Sequence, residues 1–122
     1  MAVILYVDTD QLYMSSLKLL LEQNGFKVLL ARSRDHLRQV LLAAAVDVAL
    51  VDQQFARDCP QLLSDVHALS PLTRTVLLGM RHGDKEEGLA DGYCARLDGP
   101  ARLLATLQAA SGTALQKSAH QA

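Results

Sequence analysis

Short apolar runs alternate with amphipathic stretches along most of the chain. Val3–Val7 is apolar at every position and stops at Asp8, and Val46 to Val51, interrupted by Asp47, stops at Asp52. Such a run marks a strand with both faces covered. Lys27–Ala31, Val48–Val51 with Asp52 as last residue, Thr75–Leu78 and Gly92–Leu97 complete a set of five predicted strands.

The segments between them carry helical spacing. Leu12, Ser16, Leu19, Leu20 and Gln23 predict a helix that Asn24-Gly25 ends through a left-handed residue. Ser33 is the expected N-cap of a helix from Arg34 to Ala45, with Leu37, Val40, Leu41 and Ala44 on one face. After Asp52 a polar loop is expected from Gln53 to Cys59, and Pro60 suits the first turn of a helix reaching Leu69. Ser70-Pro71 breaks it. Gly79 to Leu89 is charged and glycine-rich, enough for a turn or two of helix. Pro100 opens a last helix from Ala101 to about Ser111, and the polar stretch Gly112 to Ala122 is expected to fray. Strands alternating with helices predict one α/β domain over residues 1–111, with a parallel sheet covered on both faces, and a flexible tail over 112–122.

Composition narrows the function. The chain has 122 residues, half of them apolar, with aromatics at only 4%, so Leu, Val and Ala must fill the core. A net charge of −1 supplies no basic stripe for nucleic acid. No apolar stretch reaches the length of a membrane span, and no signal-peptide pattern opens the chain, so a cytoplasmic location is expected, with neither membrane nor nucleic acid as partner. Cys59 and Cys94 lack metal-ligand spacing; Cys94 is expected in the core. His36, His67, His82 and His120 show no pairing at helical spacing and no carboxylate companion, and are expected at the surface. Arg32, Arg34 and Arg38 are expected on a solvated helix face.

The strings "VILYVDTD", "VDVALVD" and "GYCARLDGP" resemble the receiver domain of response regulators in two-component signalling systems, over residues 1–111. The resemblance implies a flavodoxin-like five-stranded parallel sheet of order 2-1-3-4-5, with the helix that follows the fourth strand (fourth in the fold) short or missing. It places Asp52 at the phosphoacceptor position, Asp8 and Asp52 as ligands of Mg²⁺ with Asp10 as a weak third, and Gly79 and Tyr93 at the two switch positions. It also implies a histidine kinase or phosphotransfer protein as donor, an output domain or partner protein downstream, and a homodimer as one form of action.

The chain departs from the receiver pattern at several of these places. Thr9 stands where the second acid would be, Gly79 where the switching hydroxyl would be, and Arg96-Leu97 where the family has Lys-Pro. Phe55-Ala56 replaces Met-Pro. A missing acid weakens Mg²⁺ binding, and a guanidinium fork is not interchangeable with a lysine ammonium. Two readings of one fold result: a phosphorelay receiver, or a phosphorylation-independent pseudo-receiver that binds a partner or dimerises. In the second, Arg96 pairs with Asp8 and relieves the repulsion between Asp8 and Asp52 without a metal. A third reading treats the D-x-D of "YVDTD" as a haloacid-dehalogenase-type phosphatase, with Asp8 as nucleophile and Asp10 as acid/base. No late acidic pair or cap supports it, and no enzyme activity is expected beyond self-phosphorylation from a phosphodonor.

Overall fold

The computed structural model describes residues 1–84, 88 and 90–121, with side chains up to Gly112. Lys85, Glu86, Glu87, Leu89 and Ala122 lie outside the described residues. So do the side chains from Thr113 on, and with them the expectations for His120, for much of the charged segment and for the tail's side chains.

Chain order is β1 (Val3–Val7), α1 (Gln11–Gln23), β2 (Lys27–Ala31), α2 (Arg34–Ala43), β3 (Val48–Asp52), α3 (Gln53–Asp58), α4 (Leu62–Leu69), β4 (Arg74–Gly79), β5 (Gly92–Ala95) and α5 (Pro100–Gln121). Short 3₁₀ turns at His82–Asp84 and Arg96–Asp98 follow β4 and β5. All neighbouring strands pair in parallel, in the order β2-β1-β3-β4-β5 that the receiver resemblance implied.

Alternation along the strands divides the core into two layers. Ile4, Tyr6, Val48, Leu50, Val76 and Leu78 face α1 and α5, against Met14, Leu17, Leu21, Leu103 and Leu107. Leu5, Val7, Ala49, Val51 and Leu77 face the other side, against Leu37, Leu41, Leu62 and Val66. Each fully buried side chain of this size contributes about 1.5–3 kcal/mol, so it is burial on both faces that makes these runs strands. Cys94 is buried and free, as expected, and burial pushes its thiol up to about 12.

The helix ends follow local chemistry. The Ser33 hydroxyl accepts from the His36 amide at 3.1 Å, and Gly25, at φ +90°, ends α1 with the Phe26 amide donating to the Leu21 carbonyl. α5 continues past Ser111, where the apolar spacing stops. Among the described residues between β4 and β5 only the His82–Asp84 turn is helical.

Several boundaries move. The predicted loop Gln53 to Cys59 is instead the short helix α3, because the Asp52 carboxylate caps it and Gln53 and Phe55 pack inward. The next helix starts at Leu62 rather than Pro60, after a turn in which the Leu62 amide donates to the Cys59 carbonyl. β5 ends at Ala95, not Leu97, because the chain winds into the 3₁₀ turn that aims Arg96 inward. Arg34, expected on a solvated face, clasps Asp65 of α4 through two hydrogen bonds at 2.6 and 3.2 Å. His82 does have a carboxylate companion, Asp98, at 3.5 Å. No helix among the described residues is long and apolar enough to cross a membrane.

Candidate functional site at the C-terminal edge of the sheet

Parallel pairing of Val7 with Val51, Asp52 with Leu78 and Gly79 with Ala95 brings one edge of the sheet to a common rim. Asp8, Asp52, Gly79 and Arg96 all arrive there, at the crevice where open α/β sheets build their sites. They line a cavity of about 550 Å³, together with Thr9 and Gln53.

Asp8 is 2% exposed and fully engaged. Its Oδ1 accepts from the amides of Thr9 (2.7 Å) and Asp10 (3.2 Å), and its Oδ2 from the Tyr6 hydroxyl (2.6 Å) and Arg96 Nη2 (2.8 Å). Tyr6 reaches Asp8 because residues two apart on a strand share a face. Burial, then the bond to Asp8, drives the Tyr6 hydroxyl far above its ordinary pKa and keeps it a donor.

The Asp52 side chain is 18% exposed. Oδ2 accepts from the Phe55 amide at 3.1 Å, and Oδ1 accepts from Arg96 Nη2 at 3.1 Å. Burial lifts the Asp52 pKa above the usual carboxylate value; the Phe55 N–H works against this, Asp8 adds to it, and Arg96 opposes it.

One guanidinium nitrogen therefore holds both carboxylates. Arg96 is 15% exposed, and its Cζ lies 3.9 Å from the centroid of the Tyr13 ring. Burial works against its charge, yet the surrounding Tyr6, Asp8 and Asp52 oxygens raise its pKa. Asp10 is turned away: it caps α1 by accepting from the Tyr13 amide at 3.1 Å, and its Oδ2 lies 4.0 Å from Arg96 Nη1. The one-residue offset from Thr9 is the cause, since it puts this acid at the N-cap of the helix.

These residues do not fit Mg²⁺. The ion takes six oxygens in octahedral array, several of them waters, and needs one or two carboxylates with room to reach it. Here Thr9 supplies no carboxylate, Asp8 has donors on both oxygens, and a guanidinium occupies the space between Asp8 and Asp52. Among the described residues no group of three His, Cys, Asp or Glu side chains converges to hold a metal.

Gly79 and Tyr93 are also brought together. The Tyr93 hydroxyl passes over Gly79 and donates to the Arg81 carbonyl at 2.6 Å. Tyr6, Tyr13 and Gln53 were not singled out from sequence. A polar-tipped residue two positions before a strand-end acid was the available signal for Tyr6; the other two depend on contacts across the fold.

No protein-family model matches the chain, and no curated protein matches it in sequence. Solved structures do resemble it. The signal receiver domain of an HD domain-containing protein from Pseudomonas fluorescens is 24% identical, with a TM-score of 0.80 over 96% of this chain and 91% of that one. A CheY-like response regulator receiver domain protein from Methanospirillum hungatei is 22% identical, with a TM-score of 0.81 over 96% and 98%. A response regulator from Burkholderia pseudomallei, crystallised with a phosphorylated aspartic acid, calcium and citrate, is 22% identical, with a TM-score of 0.74 over 100% of this chain and 76% of that one. The chain has the fold of a response-regulator receiver domain.

Proposed function

We propose that this chain is a pseudo-receiver: a signalling module that keeps the receiver fold and works by binding a partner protein or a second copy, without phosphoryl transfer to Asp52. The observation that carries this reading is the single Arg96 nitrogen bonded to both Asp8 and Asp52. Attack by Asp52 on a phosphodonor needs a free carboxylate oxygen and a cation that can also meet the incoming phosphoryl oxygens. Each Asp52 oxygen already accepts a hydrogen bond, and the Arg96 nitrogen nearest to it is bonded to both acids at once. Asp8 and Asp10 are committed as well, to a four-donor cluster and to a helix cap, which weighs against a phosphatase pair.

The second reading, Asp52 as a phosphoacceptor served by a histidine kinase or phosphotransfer protein, has two observations in its favour. Asp52 is partly exposed and lines the cavity, and the similar Burkholderia pseudomallei protein carries a phosphorylated aspartic acid. Incubation with acetyl phosphate and Mg²⁺, followed by intact mass measurement, separates the two. The pseudo-receiver gives no phosphoryl adduct; an adduct that disappears in Asp52→Asn overturns it.

A further inference from the structure

The end of β4 carries a second device, separate from the Arg96 bridge. Gly79 is buried and its backbone is not in the left-handed region, so its conformation does not call for glycine. What it supplies is room. A β-carbon there would collide with the Tyr93 hydroxyl and come within 2.7 Å of that ring and 2.6 Å of Gln53 Oε1. Leu77 pairs with Tyr93 and Gly79 with Ala95, so Tyr93 and Gly79 share a sheet face, and the ring leans along β5 across the end of β4.

From that position Tyr93 holds the turn that follows. Its hydroxyl donates to the Arg81 carbonyl at 2.6 Å, and the His82 ring meets it edge-on at 6.5 Å. Two further ties reach the same turn. Gln53, 5% exposed and next in chain to Asp52, donates from Nε2 to the Asp84 carbonyl at 2.8 Å, and the Leu97 amide donates to the Met80 carbonyl at 3.0 Å. Residues 80–84 are thus tied to α3, to β5 and to the turn beyond β5. Gly79, Met80 and Asp84 also line the Asp52 cavity.

We infer that Gly79 is the seat of a latch: Tyr93 fills the space a side chain would take, and so pins the 80–84 turn as a fixed wall of the Asp52 cavity. The wall does not depend on any change at Asp52, because the seat is vacant by sequence and not by rearrangement.

Amide hydrogen exchange on the full chain tests this. Gly79→Ala should expel Tyr93 and speed exchange of the Asp84 and Leu97 amides by roughly ten-fold or more, as local opening becomes easier. Tyr93→Ala alone should speed the same amides. The double variant Gly79→Ala/Tyr93→Ala should be more resistant to urea than Gly79→Ala, since the colliding Tyr93 ring and hydroxyl are gone and only the end of the flexible Gln53 side chain has to shift. If Gly79→Ala does not fold, a folded double variant supports the latch and an unfolded one overturns it. Wild-type exchange in either single variant, or no gain in the double, also overturns it.

Discussion

Arg96→Met should destabilise the protein by about 3–5 kcal/mol near neutral pH, the usual cost of removing one partner from a buried ionic cluster. Methionine keeps an unbranched apolar stem and loses the guanidinium that lies over Tyr13, so the loss reports charge more than volume. Without the guanidinium, the buried Asp8 and the half-buried Asp52 face each other as anions with no cation bonded to both. The pH dependence has a definite sign. Burial already places the folded-state pKa of Asp52 above its unfolded value, and Arg96 is among the influences holding it down. Removing Arg96 raises it further. Between the unfolded and folded pKa values the native state binds more protons, so stability falls as pH rises through that window. The deficit of the variant should therefore shrink as the pH is lowered toward the ordinary carboxylate value of about 4. Urea unfolding at several pH values measures both effects. A deficit under about 1 kcal/mol that ignores pH would place the Arg96 pairs with ordinary surface ion pairs.

The second large effect is a gain. The double variant Thr9→Asp/Arg96→Lys should bind Mg²⁺ roughly ten-fold or more tightly than the wild type, because it adds a hard oxygen beside Asp8 and replaces the fork by a point charge. A lysine has one ammonium on a flexible stem and does not stack a planar cation on Tyr13 as Arg96 does. Asp8 and Asp52, which both line the cavity, are then no longer bridged by one guanidinium nitrogen. Calorimetric titration with MgCl₂ reads the result. Equal, weak binding by the variant and the wild type would mean that Thr9 and Arg96 are not what excludes the ion.

Much of the scaffold was legible before any contact was known. β1 and β2 fall at their predicted limits, because strands with both faces covered are written as apolar runs. Ser33, Asn24-Gly25 and Pro100 marked helix ends through chemistry local to the backbone. α3 was not legible. Its six residues are too few for a periodic signal, and it is held by the Asp52 cap and by a buried glutamine. The same limit applies within the site. Asp8, Asp52 and Arg96 could be placed at strand ends from the sequence, but one nitrogen reaching two acids that stand 44 positions apart is a property of the packed sheet. Tyr13 under the guanidinium and Tyr93 over Gly79 are likewise contacts between elements. Gly79 shows the difference most clearly. In the sequence it reads as a lost hydroxyl, whereas in the fold it is the space that Tyr93 fills.

The central claim is that Arg96 takes the place of a metal between Asp8 and Asp52. The most direct test is an NMR titration of the wild-type chain with Mg²⁺ and then with Mg²⁺ plus beryllofluoride, which imitates a phosphoryl group on a carboxylate. The backbone amides of Thr9, Asp10 and Phe55 should keep their positions throughout, because the Asp8 and Asp52 carboxylates they donate to stay bonded to Arg96. Saturable shifts at these amides, strongest when both reagents are present, would contradict it.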